Sequence, residues 1–171
     1  DSRRLAVAQL DVLDKVAERT SFLLPARAAE LAVRAFVETK EIHVSMTERE
    51  LVFSDGEITL SGRMVEGDFP TYEQILPTDN PIHAVADRKA FLTAVRRVSL
   101  ISDPSTARIQ LAISHDSMEL SAHSEEYGDA REEIPVTSTD AITLGFNAGY
   151  LADALTSMDS EQVRVEMKNP L

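Results

Sequence analysis

The chain has 171 residues, 43% of them hydrophobic, which is enough for one packed domain or two small ones. It has no cysteine, so disulfides and thiolate metal sites are excluded, and this fits a reducing cytoplasm. Net charge is −12, from 17 basic and 29 acidic residues, which argues against a general nucleic-acid binder. No apolar run approaches the length of a membrane span, and no leader precedes the first strand-like residues, which start without a methionine as a fragment would.

Leu5, Val7 and Gln9 alternate as in a strand, although Leu5, Ala8, Val12 and Val16 could also line a helix; the alternation predicts a strand over Arg4–Asp11 followed by a charged loop. Pro25 stands where a helix begins. Ala28, Leu31, Ala32, Ala35 and Phe36 then recur at helical spacing, leaving Arg27, Glu30 and Arg34 on another face. Three runs of period two follow, through Ile42, Val44 and Met46, then Leu51 and Phe53, then Ile58 and Leu60, with polar breaks at Thr47–Arg49 and Ser54–Gly56. This predicts a helix followed by a three-strand meander.

The stretch Gly67–Pro77 interrupts the pattern. Pro70 and Pro77 fix their own φ and bias the preceding residues away from helix, so it reads as an extended connector carrying Phe69, Tyr72, Ile75 and Leu76, either to seal a joint between modules or to bind a partner peptide. The same pattern then restarts. Ile82, Ala84 and Ala86 alternate, Asp87 is an N-cap, and Phe91, Ala94, Val95 and Val98 mark a helix. Its other side carries Arg88, Lys89, Arg96 and Arg97 with no acid. Basic charge is therefore concentrated on two helices of an acidic chain, as solvated faces or as a contact surface.

A hairpin is predicted from Ile109–Ile113 and Met118–Ala122, then a strand from about Ala130 to Val136 with Pro135 as an edge or exit residue. Ile142, Leu144 and Phe146 open a third copy, Asn147 caps a helix to about Thr156, and Val163, Val165 and Met167 alternate. The helix starts at Pro25, Asp87 and Asn147 are 62 and 60 residues apart. Repetition at that interval predicts strand, helix, three-strand units in an α+β fold, paired so that neighbouring helices cover a shared sheet.

Catalytic constellations are not evident. There is no glycine-rich phosphate loop and no nucleophile elbow; His43, His115 and His123 lack carboxylates at ligand spacing, and the pairs Glu125–Glu126 and Glu132–Glu133 read as a solvated edge. These residues predict no enzyme, no cofactor and no metal.

Three stretches carry a resemblance: Asp1–Val7, Glu66–Pro77 and Gly145–Leu151, which match in order the D-G-x-R-L-A, G-x-F-P-x-Y-x-x-(V/I)-(L/I)-P and G-F-N-x-x-Y-L stretches of one family. With the repeated unit and the basic helices, the chain resembles the bacterial DNA polymerase III β subunit, the sliding clamp. The resemblance implies three similar domains per subunit and two subunits closing a ring around duplex DNA. It places residues 1–78 in the later part of the second domain and 79–171 in the third, without that domain's last strands. It also implies a cytoplasmic homodimer that is an accessory subunit and not an enzyme.

By the same resemblance Arg27, Arg34, Arg88, Lys89, Arg96 and Arg97 are the DNA-facing set, giving weak, sequence-independent attraction to phosphates. Polymerase, clamp loader and repair proteins insert short peptides into a pocket whose matching positions are Arg4, Leu5, Pro70, Ile75, Thr106, Asn147, Tyr150 and Leu171. Ser2 replaces a common glycine and Thr106 stands where some members place an aromatic, so pocket shape differs from theirs. Leu100 and Ile101 match the surface that meets the other subunit. A free-standing adaptor that binds protein and never DNA is the competing reading of the residues, and a hydrolase using Glu132 or Glu133 is a third.

Overall fold

The computed structural model describes residues 4–10 and 20–168. They fall into two compact units, Leu10–Leu76 and, together, Asp1–Gln9 with Pro77–Leu171.

In the Leu10–Leu76 unit, Pro25 is the N-cap of helix α1 (Ala26–Ala35), with φ −56° and ψ 136°, and its carbonyl accepts the Ala28 and Ala29 N–H groups. A fixed φ at this point removes part of the entropy cost of the first turn. Strands β1 (His43–Met46), β2 (Glu50–Ser54) and β3 (Thr59–Arg63) form the predicted antiparallel meander in the order β1-β2-β3. The second turn is built by Asp55, whose carboxylate accepts the Glu57 and Ile58 N–H groups, and by Gly56 at φ +96°. Helix α1 lies close over β3 at Gly62, where a Cβ would come within 3.1 Å of Ala28. A Cβ there would require Ala28 and Leu24 to give by a few tenths of an ångström.

In the other unit, β4 (Ile82–Asp87) ends on Asp87, whose carboxylate accepts the Ala90 N–H at 2.7 Å and starts α2 (Arg88–Ser99). Strands β5 (Arg108–Ile113), β6 (Ser117–Ser124), β7 (Gly128–Ser138), β8 (Ile142–Asn147) and β9 (Gln162–Met167) follow, with α3 (Ala148–Ser157) between the last two. All neighbours are antiparallel in a six-stranded sheet ordered β8-β5-β6-β7-β4-β9. Alternate residues of the strands, Ala84 and Ala86, Ile109, Leu111 and Ile113, Met118 and Leu120, are buried in one cluster with Phe91, Ala94, Val95 and Val98 of α2. Helices α2 and α3 pack side by side. This is the α+β architecture expected of paired units.

Two expectations are corrected. No strand is assigned over residues 4–10, and Asp11 lies outside the described residues. Alternation alone does not make a strand without a sheet edge to pair with, and Val7 is more than half exposed. The edge reading of Pro135 is corrected, because β7 lies between β6 and β4, while the exit reading fits the end of the β6 pairing at that residue. Proline is tolerated there because β7 is paired to β6 as far as Pro135 and its pairing to β4 begins only at Val136.

Candidate partner-binding and nucleic-acid surfaces

The start of α3 gathers four of the proposed pocket residues. Asn147 Oδ1 accepts the Tyr150 N–H at 3.2 Å, capping the helix, while its Nδ2 donates to the Thr106 carbonyl at 3.0 Å. The Ala148 N–H donates to the Ala107 carbonyl at 2.8 Å. One asparagine thus both starts the helix and straps the loop before β5 to it. Ala107 holds φ +47°, a left-handed conformation unusual for a residue with a Cβ, and this orients its carbonyl toward the helix.

The loop is stiffened from within. Asp103 Oδ1 accepts the Ser105 hydroxyl, the Ser105 N–H at 2.8 Å and the Thr106 N–H at 3.3 Å. The Ser105 hydroxyl, then the Ser105 N–H, holds the Asp103 carboxyl below its ordinary value of 3.8.

Arg4 lies over the Tyr150 ring, its guanidinium carbon 4.3 Å from the ring centroid, and pairs with Asp153 at 2.9 Å. Tyr150 and Asp153 are three apart on α3 and so share a face. The ring supplies a cation–π contact and Asp153 a carboxylate, which together hold the guanidinium against the helix. Leu5 is exposed beside this pair in sequence. A groove of about 470 Å³ runs past Thr106, Arg108, Gly145, Phe146 and Asn147. In the Leu10–Leu76 unit, Pro70 is exposed and Ile75 is 69% exposed, following a short 3₁₀ turn at Tyr72–Gln74. Phe69 and Tyr72 meet edge to face, 6.2 Å between centroids. Leu171 lies outside the described residues.

The basic set is used unevenly. Arg88 donates Nε to the Ser160 carbonyl at 2.7 Å and Nη1 to the Leu155 carbonyl at 3.1 Å, so it caps the C-terminal end of α3. Arg97 pairs with Glu132 of β7 at 2.6 Å. Arg96 reaches the Thr156 hydroxyl at 3.4 Å. Arg27 pairs with Glu30 at 3.2 Å. Lys89 and Arg34 are exposed with no ion pair among the described residues. Leu100 is the C-cap of α2 and 78% exposed, whereas Ile101 is half-buried.

Three contributors were not singled out by the sequence pattern: Asp153, Glu132 in its pairing role and Arg88 as a cap. For Glu132 a signal was present. Alternation through Ala130, Ile134 and Val136 puts it on the row that faces α2, so it and Glu133 point to opposite sides of the sheet and cannot act as a pair. Asp153 and the carbonyls near Arg88 come from distant sequence and carry no such mark.

Paired strand–helix units, with two adjacent helices along one face of a six-stranded antiparallel sheet, define a two-layer α+β class of protein. The family model described as DNA polymerase III beta subunit, C-terminal domain, matches residues 73–171, and the chain belongs to that family. It is 30% identical over 166 residues to the beta sliding clamp of Pseudomonas aeruginosa, covering 96% of this chain and 45% of that protein. It is likewise 30% identical over 170 residues to the beta sliding clamp of Staphylococcus aureus strain Mu50, covering 97% of this chain and 45% of the relative. Among solved structures, a sliding clamp from P. aeruginosa bound to griselimycin superposes with TM-score 0.84 at 26% identity, over 94% of this chain and 44% of that one. The C. crescentus beta sliding clamp gives 0.78 at 26% identity, over 87% and 41%. The chain therefore spans less than half the length of the relatives it matches.

Proposed function

We propose that the chain is part of a DNA sliding clamp, a polymerase processivity factor without chemistry of its own, with residues 1–78 belonging to the second clamp domain and 79–171 to the third. In this reading the whole protein is a cytoplasmic homodimer that encircles duplex DNA, with Leu100 and Ile101 at the subunit contact. Polymerase, clamp loader and repair proteins dock through short peptides. The observation that carries the docking role is the arrangement at the start of α3, where Arg4 covers Tyr150 and Asn147 ties Tyr150 to Thr106. A half-buried ring with a hydroxyl, held by a cap and a cation, suits an extended peptide. Leu5, Pro70, Ile75 and Leu171 supply the apolar remainder.

For DNA, all six basic residues contribute charge, but their freedom differs. Lys89, Arg34 and Arg96 can meet phosphates directly; Arg97 must first exchange Glu132, and Arg88 acts from its place on α3. Such contacts are weak and screened by salt, as sliding requires.

The test is titration of a labelled polymerase-tail peptide into this chain, with Tyr150→Ala and Arg97→Ala in parallel. Peptide binding is expected to be abolished by Tyr150→Ala and unaffected by Arg97→Ala. Equal effects of the two substitutions would contradict the division between a peptide surface and a DNA surface.

A further inference from the structure

The sheet face turned away from α2 carries its own charge pattern. The pairing Gln110↔Ser121↔Arg131 sets three polar residues in a row across β5, β6 and β7, and His123↔Asp129 forms the next row, with Arg108 two residues before Gln110 on the same face. These six line a cleft of about 440 Å³.

Two carboxylates line this cleft and both are engaged, while Glu119 and Glu133 stand one row further along the same face. Asp129 Oδ1 lies 2.9 Å from His123 Nδ1, and Asp103 is turned into its own loop. No ion pair or hydrogen bond holds the guanidinium of Arg108 or Arg131 among the described residues. Two unpaired arginines in one cleft are conspicuous on a chain of net charge −12, where acidic side chains are in excess.

Their spacing selects the ligand. Arg108 and Arg131 stand on strands separated by β6, about 10 Å apart across the sheet, and the Arg108 guanidinium lies over Gly145 of β8, on the side away from β7. Charges placed on opposite flanks of the cleft suit several carboxylates spaced along an extended chain better than a single phosphate or carboxylate. The cleft also adjoins the groove at the start of α3, since Thr106 and Arg108 line both. Gly145 makes this possible, because a Cβ there would come within 3.2 Å of Arg108 Nε.

We propose that this cleft receives acidic residues flanking the docked peptide, an inference that rests on the peptide-pocket reading. Arg108 and Arg131 would meet the flank's carboxylates, while Tyr150 and its neighbours hold the hydrophobic core of the peptide.

The experiment compares peptides of one hydrophobic core carrying, at either end, a run of glutamates or a matched run of glutamines. They are titrated at low ionic strength into the wild-type chain, Arg108→Gln/Arg131→Gln and Arg108→Lys/Arg131→Lys, with thermal melts to show that each variant is folded. With the wild type, glutamate at one end is expected to tighten binding about fivefold over glutamine. That ratio should fall to about one in the glutamine variant, largely persist in the lysine variant, and shrink at high salt. No glutamate advantage at either end, or an equal advantage in Arg108→Gln/Arg131→Gln, overturns the inference alone. Failure of every peptide to bind the wild type overturns the pocket reading and this inference with it.

Discussion

The two units draw on the same kind of parts and differ in what they bury. The unit containing Pro77–Leu171 places two helices on six strands, and Phe91, Val95, Val98, Ile109, Leu111, Met118 and Leu120 are almost wholly enclosed. Among its described residues the Leu10–Leu76 unit has one α-helix and three strands, only Phe36 and Leu51 of its apolar residues are buried, and α1 buries none. Val44, Met46 and Ile58 are about half exposed. One helix cannot screen a sheet face, whereas two adjacent helices over a doubled sheet can. The lesson is that the repeated unit is a half-structure, and a core appears where two halves share a sheet.

The strongest way to break this comparison is to cut a large side chain from each unit. Phe91→Ala should cost about 3–5 kcal/mol, and Leu51→Ala about 2 kcal/mol, because Leu51 is equally enclosed but smaller and has only Phe36 as a fellow buried apolar residue among the described residues of its unit. Denaturant unfolding with site-resolved amide exchange would check this, with amides of β1–β3 exchanging before those of β4–β7 in the unaltered chain. Equal costs, or equal protection in the two units, would show that the smaller unit has a core of its own.

A smaller effect sharpens the view of how paired halves are joined. Arg88 starts α2 and caps α3, so Arg88→Ala should cost about 2 kcal/mol through the loss of two charge-assisted hydrogen bonds. Exchange protection should fall in the last turn of α3 and stay unchanged at its Asn147 end. Uniform loss along the helix would mean that Arg88 acts through packing and not as a cap.

The smallest effect is shared by both units. The Asp103 carboxyl is held below its ordinary value of 3.8 by Ser105, and Asp55 is held below the same value by the Ile58 N–H, the Thr39 hydroxyl and the Glu57 N–H. A lowered folded-state value means stability that is present above the unfolded value and lost as pH falls through the folded one. Asp103→Asn and Asp55→Asn should each flatten the acid limb of stability below the ordinary value, as followed by thermal melts across pH. An unchanged acid limb would mean that these exposed turns are already satisfied by water.

Much of the architecture was legible in the chain itself. Period-two runs marked β1 to β6, β8 and β9, helical spacing marked the three helices, and Asp87 and Asn147 marked two starts, because these signals act within a few residues. The basic helices and the three family stretches could also be read directly. Pairing could not be, since strand alternation has no record of which edge is free. Hence no strand is assigned over residues 4–10, the described part of the expected Arg4–Asp11 strand, and Pro135 lies in an interior strand.

Local chemistry along the chain determined the elements, their faces, their caps and the family to which they belong. Tertiary structure alone decided which charges are spent and which remain open: Arg97 is met by Glu132, Arg88 by the end of α3 and Arg4 by Tyr150 and Asp153, while Arg108 and Arg131 share one cleft unpaired. The physical reason is range. A cap or a period is written over a few consecutive residues, but an ion pair depends on groups 35 or 149 positions apart being brought within 3 Å by the sheet and helices between them.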